Sequence, residues 1–174
     1  GKDSDDESEE DAEVTEASAG KIGVLLSDDD EDAKIDSEEM TSQIEDGGYE
    51  ADVKNAGGDP ALQISQIQEF IDEQVSALII DPVDSYGLTD ILKTANEQEI
   101  PVISYDSLIR DTADINYYAT YDTRAIGKDI AKEIIKKMDL DKAREDKKSY
   151  TIEFLMGSPD DNAALFLCNG IQEG

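Results

Sequence analysis

Residues 100–122 read IPVISYDSLIRDTADINYYATYD. Two runs in this stretch, PVISY at 101–105 and YYATY at 117–121, are rich in β-branched and aromatic residues and read as strands. Each ends on an aspartate, Asp106 and Asp122. Alternating strand and helix patterns precede the stretch, and a helical pattern begins directly after it. It therefore reads as the end of one α/β lobe and the crossing into a second, with Asp106 at the mouth of the cleft between them.

The residues upstream supply the rest of the first lobe. KIGVLLS at 21–27 is a short continuous apolar run, as expected of a buried parallel strand. An acidic loop follows, then a helix over 36–46 closed by Gly47-Gly48. Residues 49–54 form a second strand. Asp59-Pro60 opens a second helix, with the aspartate as N-cap and the proline in the first turn. Its apolar face carries Leu62, Ile64, Ile67, Phe70, Ile71 and Val75. Residues 77–80 are the third strand, and 85–98 a third helix with Leu88, Ile91, Leu92 and Ala95 on one face. The order β-α-β-α-β-α-β with short connections implies an α/β fold, a doubly wound parallel sheet with helices on both faces. Ligands in such sheets bind beyond the carboxyl ends of the strands. The loops to inspect are 28–34, 55–59, 81–86 and 106–110.

Downstream, 123–140 is helical, with Ile126, Ile130, Ile134, Ile135 and Met138 as its stripe. A polar linker at 139–148, a sixth strand at 150–156 and a last helix at 161–172 follow. One strand cannot make a sheet, so the second lobe is expected to be incomplete. The division expected is an acidic leader at 1–20, an N-terminal lobe at 21–119, and a hinge crossing with the start of a second lobe at 120–174.

Composition narrows the function classes. With 174 residues and a hydrophobic fraction of 38%, a real core is available. Against 15 basic residues stand 44 acidic ones, a formal net charge of -29. That argues against nucleic acid and anionic membranes as partners, and self-repulsion favours a monomer. There is no histidine, so His-based triads and His metal ligands are excluded. One cysteine, Cys168, allows no internal disulfide. No apolar run approaches about 18 residues, the length a spanning helix needs. The leader GKDSDDESEEDAEVTEASAG has nine acids and one lysine, and is expected to be disordered. It suits a tether that holds a folded domain away from a surface, as in a lipoprotein anchored upstream of Gly1.

Acids stand at nearly every strand end: Asp28 to Asp30, Asp81, Asp84, Asp106 and Asp122. Carboxylates accept hydrogen bonds from adjacent hydroxyls, which suits a sugar. Asp84 and Asp106 are the leading candidates. A phosphoacceptor receiver domain would use Asp28–Asp30 and Asp81 around Mg²⁺, but it also needs a lysine after a fifth strand, and YYATYD has none. In DDDEDAKIDSEE, Asp28, Asp30, Asp32, Asp36 and Glu39 occupy calcium-loop positions, with Ala33 where the turn glycine belongs. A solvated acidic loop is the preferred reading there, and Ca²⁺ the alternative. No glycine fingerprint follows the first strand, which removes the case for a dinucleotide enzyme. No nucleophile–base pair is visible, so the chain reads as a binding module rather than an enzyme, with no cofactor.

KIGVLLS, GGYEADV, NAGGDPALQISQIQEFIDEQVSALIIDPVDSYGL, the 100–122 stretch and FLMGSPDDNAALF, in that order across 21–172, resemble the type I periplasmic sugar-binding proteins of ABC transporters. The likeness is strongest to the xylose-binding and multiple-sugar-binding branch. It implies two hinged α/β lobes that close on a monosaccharide, an extracytoplasmic home and docking on a membrane permease, or on a chemoreceptor in some members. It implies sugar contacts from Asp84, Asp106 and Asn162, with Asp30, Lys34 and Asp122 as further ligand-binding candidates. Departures from the pattern are Ser107 for an arginine, Thr123 for an asparagine and Ala163 for the second of two asparagines. The first loop lacks an Arg-aromatic pair and has Lys34 as its only cation. These departures imply altered sugar specificity. Alternatives are a scaffold-retaining sensor for Ca²⁺ or another polar ligand, and a sugar-responsive regulator of the same lobe fold. The regulator would need a basic helix-turn-helix where the acidic leader stands.

Overall fold

The computed structural model describes residues 20–157 and 161–174. The leader, apart from Gly20, and residues 158–160 of the GSPDDN stretch lie outside the described residues.

Five parallel strands form one sheet in the order β2-β1-β3-β4-β5. They are β1 (Lys21–Leu26), β2 (Glu50–Asn55), β3 (Ala77–Ile80), β4 (Val102–Tyr105) and β5 (Tyr117–Ala119). β1 lies inside, pairing Val24 with Val53 on one side and with Ile79 on the other. The helices between strands are α1 (Glu31–Asp46), α2 (Pro60–Asp72) and α3 (Thr89–Glu97). As expected, Asp59 caps α2, accepting from the amides of Ala61 (2.9 Å) and Leu62 (3.2 Å).

Alternation along the strands sorts the core. Leu25, Leu78, Ile80 and Val102 point to one face and pack with Ile67, Phe70 and Ile71 of α2 and Leu88, Leu92 and Ala95 of α3. Phe70 lies so close to Gly23 that a Cβ there would sit 2.6 Å from the ring. The opposite face is covered more thinly by α1, which has no buried residue of its own.

Several expectations are corrected. α1 starts at Glu31, not at 36: Asp30 caps it, accepting from Ala33 N at 2.9 Å, and Glu31 and Asp32 in the first turn suit the positive end of the helix dipole. From Glu31 on, the acidic run is therefore a helix start, and only 28–30 remain loop. A calcium loop needs residues 28–39 to wrap round an ion, and a helix across 31–39 prevents that. Among the described residues no group of three or more His, Cys, Asp or Glu side chains is placed to hold a metal. α3 starts at Thr89 rather than 85, because residues 84–88 are held in turns, with Asp84 accepting from Tyr86 N at 2.9 Å. On α2, Leu62 and Ile64 are exposed, and Gln63 takes the buried place between them.

The run expected to cross into a second lobe is first the edge strand of the first sheet: β5 pairs Tyr117 with Ile103 and Ala119 with Tyr105. After it come α4 (Thr123–Met138), α5 (Leu140–Glu145), which occupies the expected linker, and α6 (Asn162–Glu173). The expected strand at 150–156 is not formed: among the described residues no strand lies beside it to bond with. α4 and α6 pack through glycines: a Cβ on Gly127 would fall on the Leu167 carbonyl, and one on Gly170 on the Arg124 carbonyl. The other face of α4, with Ile126, Ile130 and Met138, is exposed.

Candidate functional site

Beyond the carboxyl ends of β1, β3 and β4 lies a cavity of about 450 Å³. Each strand delivers a polar residue as it leaves the sheet. β1 ends into Ser27, β3 into Asp81 and β4 into Tyr105 and Asp106. The first turns of α1 form one wall through Asp30, Asp32 and Asp36, and Tyr121 closes another side.

Asp81 is anchored by the last ladder bond of β3, its amide donating to Leu25 O at 2.9 Å. Its Oδ2 accepts from the hydroxyl of Ser27 and, at 3.4 Å, from the Ser27 amide. Burial pushes its carboxyl up to about 6; the Ser27 bonds oppose that shift, and the charges of Asp106 and Asp36 add to it.

Asp106 sits in the left-handed region at φ 56. Its amide donates to Ala119 O (2.9 Å) and its carbonyl accepts from the Tyr118 hydroxyl (2.9 Å). Both bonds tie the turn to β5. Behind it, buried Ser104 donates to Ser107 O (2.7 Å) and accepts from Ile109 N (3.0 Å), which sets the turn's shape. Burial raises the Asp106 carboxyl, and the charges of Asp161 and Asp36 raise it further. The Tyr105 hydroxyl donates to Asp36 at 3.0 Å and is held above its ordinary range, first by burial and then by Asp36.

The sequence candidates divide. Asp106 and Asp30 line the cavity, though one oxygen of Asp30 is engaged in capping α1. Lys34 instead lines a separate groove between α1 and β2, with Asn55 and Val53. Asp122 caps α4, accepting from Ala125 N at 2.9 Å, and lines an adjoining groove of about 270 Å³ with Tyr118, Thr120 and Phe166. Asp84 stands outside the cavity lining, its carboxylate turned to Tyr86 N. Asn162 opens α6 and is not in that lining, while its neighbour Asp161 acts on Asp106 through charge. Of the proposed calcium set, Asp28, Asp30, Asp32 and Asp36 face the cavity, whereas Glu39 bonds Gln43 along the helix (3.1 Å).

Sequence reasoning passed over Ser27, Tyr105 and Tyr121 as site residues and ranked Asp84 above Asp81. A signal was present: Ser27 and Asp81 are the first polar residues after two buried strands. Tyr105 and Tyr121 are the aromatic residues of the lining, the latter shared by the cavity and the adjoining groove. Among the described lining residues none is basic. The site offers carboxylate acceptors and tyrosine hydroxyls to a polar ligand.

A family model described as "Periplasmic binding protein domain" matches residues 22–174. The multiple sugar-binding periplasmic protein SbpA of Azospirillum brasilense is 35% identical over 135 residues, 78% of this chain and 37% of that protein. The D-xylose-binding periplasmic protein of Haemophilus influenzae is 35% identical over 133 residues, 75% of this chain and 37% of that protein. The chain thus spans about 37% of the length of the curated relatives it matches. A solved ABC transporter solute-binding protein from Clostridium phytofermentans with bound β-D-glucose superposes with a TM-score of 0.78 at 30% identity, over 88% of this chain and 47% of that one. With the family model covering nearly all of the described residues, the chain belongs to the periplasmic binding protein domain family.

Proposed function

We propose that the protein is an extracytoplasmic solute-binding protein that takes a monosaccharide between two hinged lobes and delivers it to the permease of an ABC transporter. Residues 21–119 supply the first lobe, and 120–174 the hinge crossing and the beginning of the second. The observation that carries this reading is the cavity at the carboxyl edge of the sheet, where Asp81 and Asp106 meet Tyr105 and Tyr121. Carboxylates grip hydroxyls, and an aromatic face covers the apolar face of a sugar ring. Asp106 is the principal contact, joined by Asp30 and, on lobe closure, by Asp84, Asp122 and Asn162. Binding and release, with no chemical step and no cofactor, are its whole activity. The acidic leader serves as the tether of a lipid-anchored monomer.

A sensor role is the second reading. One solved neighbour, 26% identical with a TM-score of 0.67, is the fructose-binding periplasmic domain of a hybrid two-component system. In that reading the closed lobes engage a receptor rather than a permease. Thermal-shift screening of the full-length protein against pentoses and hexoses tests the sugar site. At least one monosaccharide is expected to raise Tm, and a panel without any response overturns the proposal.

A further inference from the structure

Among the described residues, Gln63 is the one large polar side chain sealed among the fully buried residues of the α2–α3 core. It sits where Leu62 and Ile64 flank it in the open, on a helix face otherwise given to Ile67, Phe70 and Ile71. Burying a primary amide is costly unless both its ends are satisfied. Here they are: Nε2 donates to Asp81 O at 2.7 Å, and Oε1 accepts from Val83 N at 2.9 Å. These two backbone groups flank Pro82, which has no N–H to give. They are also the first groups of the chain to leave the sheet, after Asp81 N has made the final bond to Leu25 O. The amide of Gln63 takes the part of a missing neighbouring strand for this one segment.

We infer that Gln63 is a positioning residue of the ligand site: by clamping both sides of Pro82 it fixes the backbone of Asp81, and so the direction from which the Asp81 carboxylate enters the cavity. The inference rests on the proposed cavity as the ligand site. The alternative for Gln63 is a purely structural role in the core. A structural role costs stability only, whereas a positioning role also alters what Asp81 does.

Two variants separate them. Gln63→Met keeps the volume and removes both hydrogen bonds. Gln63→Glu keeps the shape: as the protonated acid it has one donor and one acceptor, as the amide does, and as the carboxylate it has acceptors only. The first readout needs no ligand. In ¹³C-NMR titrations the Asp81 carboxyl midpoint should fall from about 6 towards the ordinary carboxylate value in Gln63→Met, because a released loop lets water reach it. The second is the dissociation constant of a monosaccharide found by the thermal-shift screen, measured well below Tm. It should weaken by at least about tenfold in Gln63→Met. In an Asp81→Asn background the same substitution should have little further effect. Gln63→Glu should bind like the wild type at pH 5 and weakly at pH 8, which also covers the case in which Gln63→Met fails to fold.

A lowered Tm with an unchanged Asp81 midpoint overturns the inference, as does a binding loss that is fully additive with Asp81→Asn. If the wild type binds no monosaccharide, the sugar reading fails, and the Asp81 titration still decides the role of Gln63.

Discussion

The hydroxyl of Tyr105, the last residue of β4, donates a 3.0 Å hydrogen bond to Oδ2 of Asp36 in α1. It joins the thinly packed face of the sheet to the helix that walls the cavity. Tyr105→Phe removes the bond and nothing else. The expected loss is about 1 kcal/mol in urea unfolding, with faster amide exchange in the first turns of α1. Exchange rates equal to the wild type would show that α1 is held by other means.

Asp81 makes the lobe more stable in mild acid. Its folded carboxyl, at about 6, binds a proton more tightly than the unfolded group near 3.8. Protonation therefore favours folding: stability is gained as pH falls from above 6 towards 4, and it is lost again as pH rises through 6. The contribution is on the order of 3 kcal/mol. Asp106, raised in the same direction, adds to it. General relief of the acidic surface also favours low pH, so the informative measurement is the difference between wild type and Asp81→Asn. The variant should be the more stable at pH 7.5, with the gap closing by pH 5.

Asp106 combines a ligand role with a left-handed backbone at φ 56. Aspartate and asparagine tolerate this region better than alanine. Asp106→Asn should shift Tm by no more than about 2 °C, the change that about half a kcal/mol makes in a chain of this size, and weaken sugar binding. Asp106→Ala should abolish the sugar-induced shift and also cost about 1 kcal/mol of stability. A sugar shift that survives in Asp106→Ala would remove this residue from the site.

The α4–α6 crossing depends on two glycines. Gly127→Ala and Gly170→Ala each drive a methyl into a carbonyl of the partner helix, Leu167 O and Arg124 O respectively. Each should cost about 1–3 kcal/mol by overpacking. The double variant should cost less than the sum, because one displacement of α6 relieves both clashes. Equilibrium unfolding of the four proteins completes the cycle. Strict additivity would mean that the two sites do not share one contact.

Much of the lobe was written locally. The apolar run of β1, the Asp59-Pro60 start of α2 and the short strands ALII and VISY each carry their own signal, because they depend on neighbours in sequence. Right-handed crossovers then leave few ways to assemble them. The start of α1 was misread because acids read as loop when counted for charge, yet they favour a helix when they fall in its first turn. The strand at 150–156 was misread for the opposite reason: its residues have the right composition, but a strand exists only through a partner.

By itself, the sequence determined the parallel α/β lobe, its order of elements, and the edge at which a ligand would be met. Only the tertiary structure decided which acids share the cavity. Asp81, Asp106 and Asp36 come from elements far apart in the chain, and their mutual charges raise the carboxyls of Asp81 and Asp106. Only the structure showed that Gln63, on a helix behind the sheet, reaches the backbone of Asp81. Local sequence encodes propensity and periodicity; the distance between groups that chain topology brings together is encoded in no single segment. For that reason the stretch at 100–122 announced its strands, while the partners of Tyr105 and Asp106 became visible only once the sheet was assembled.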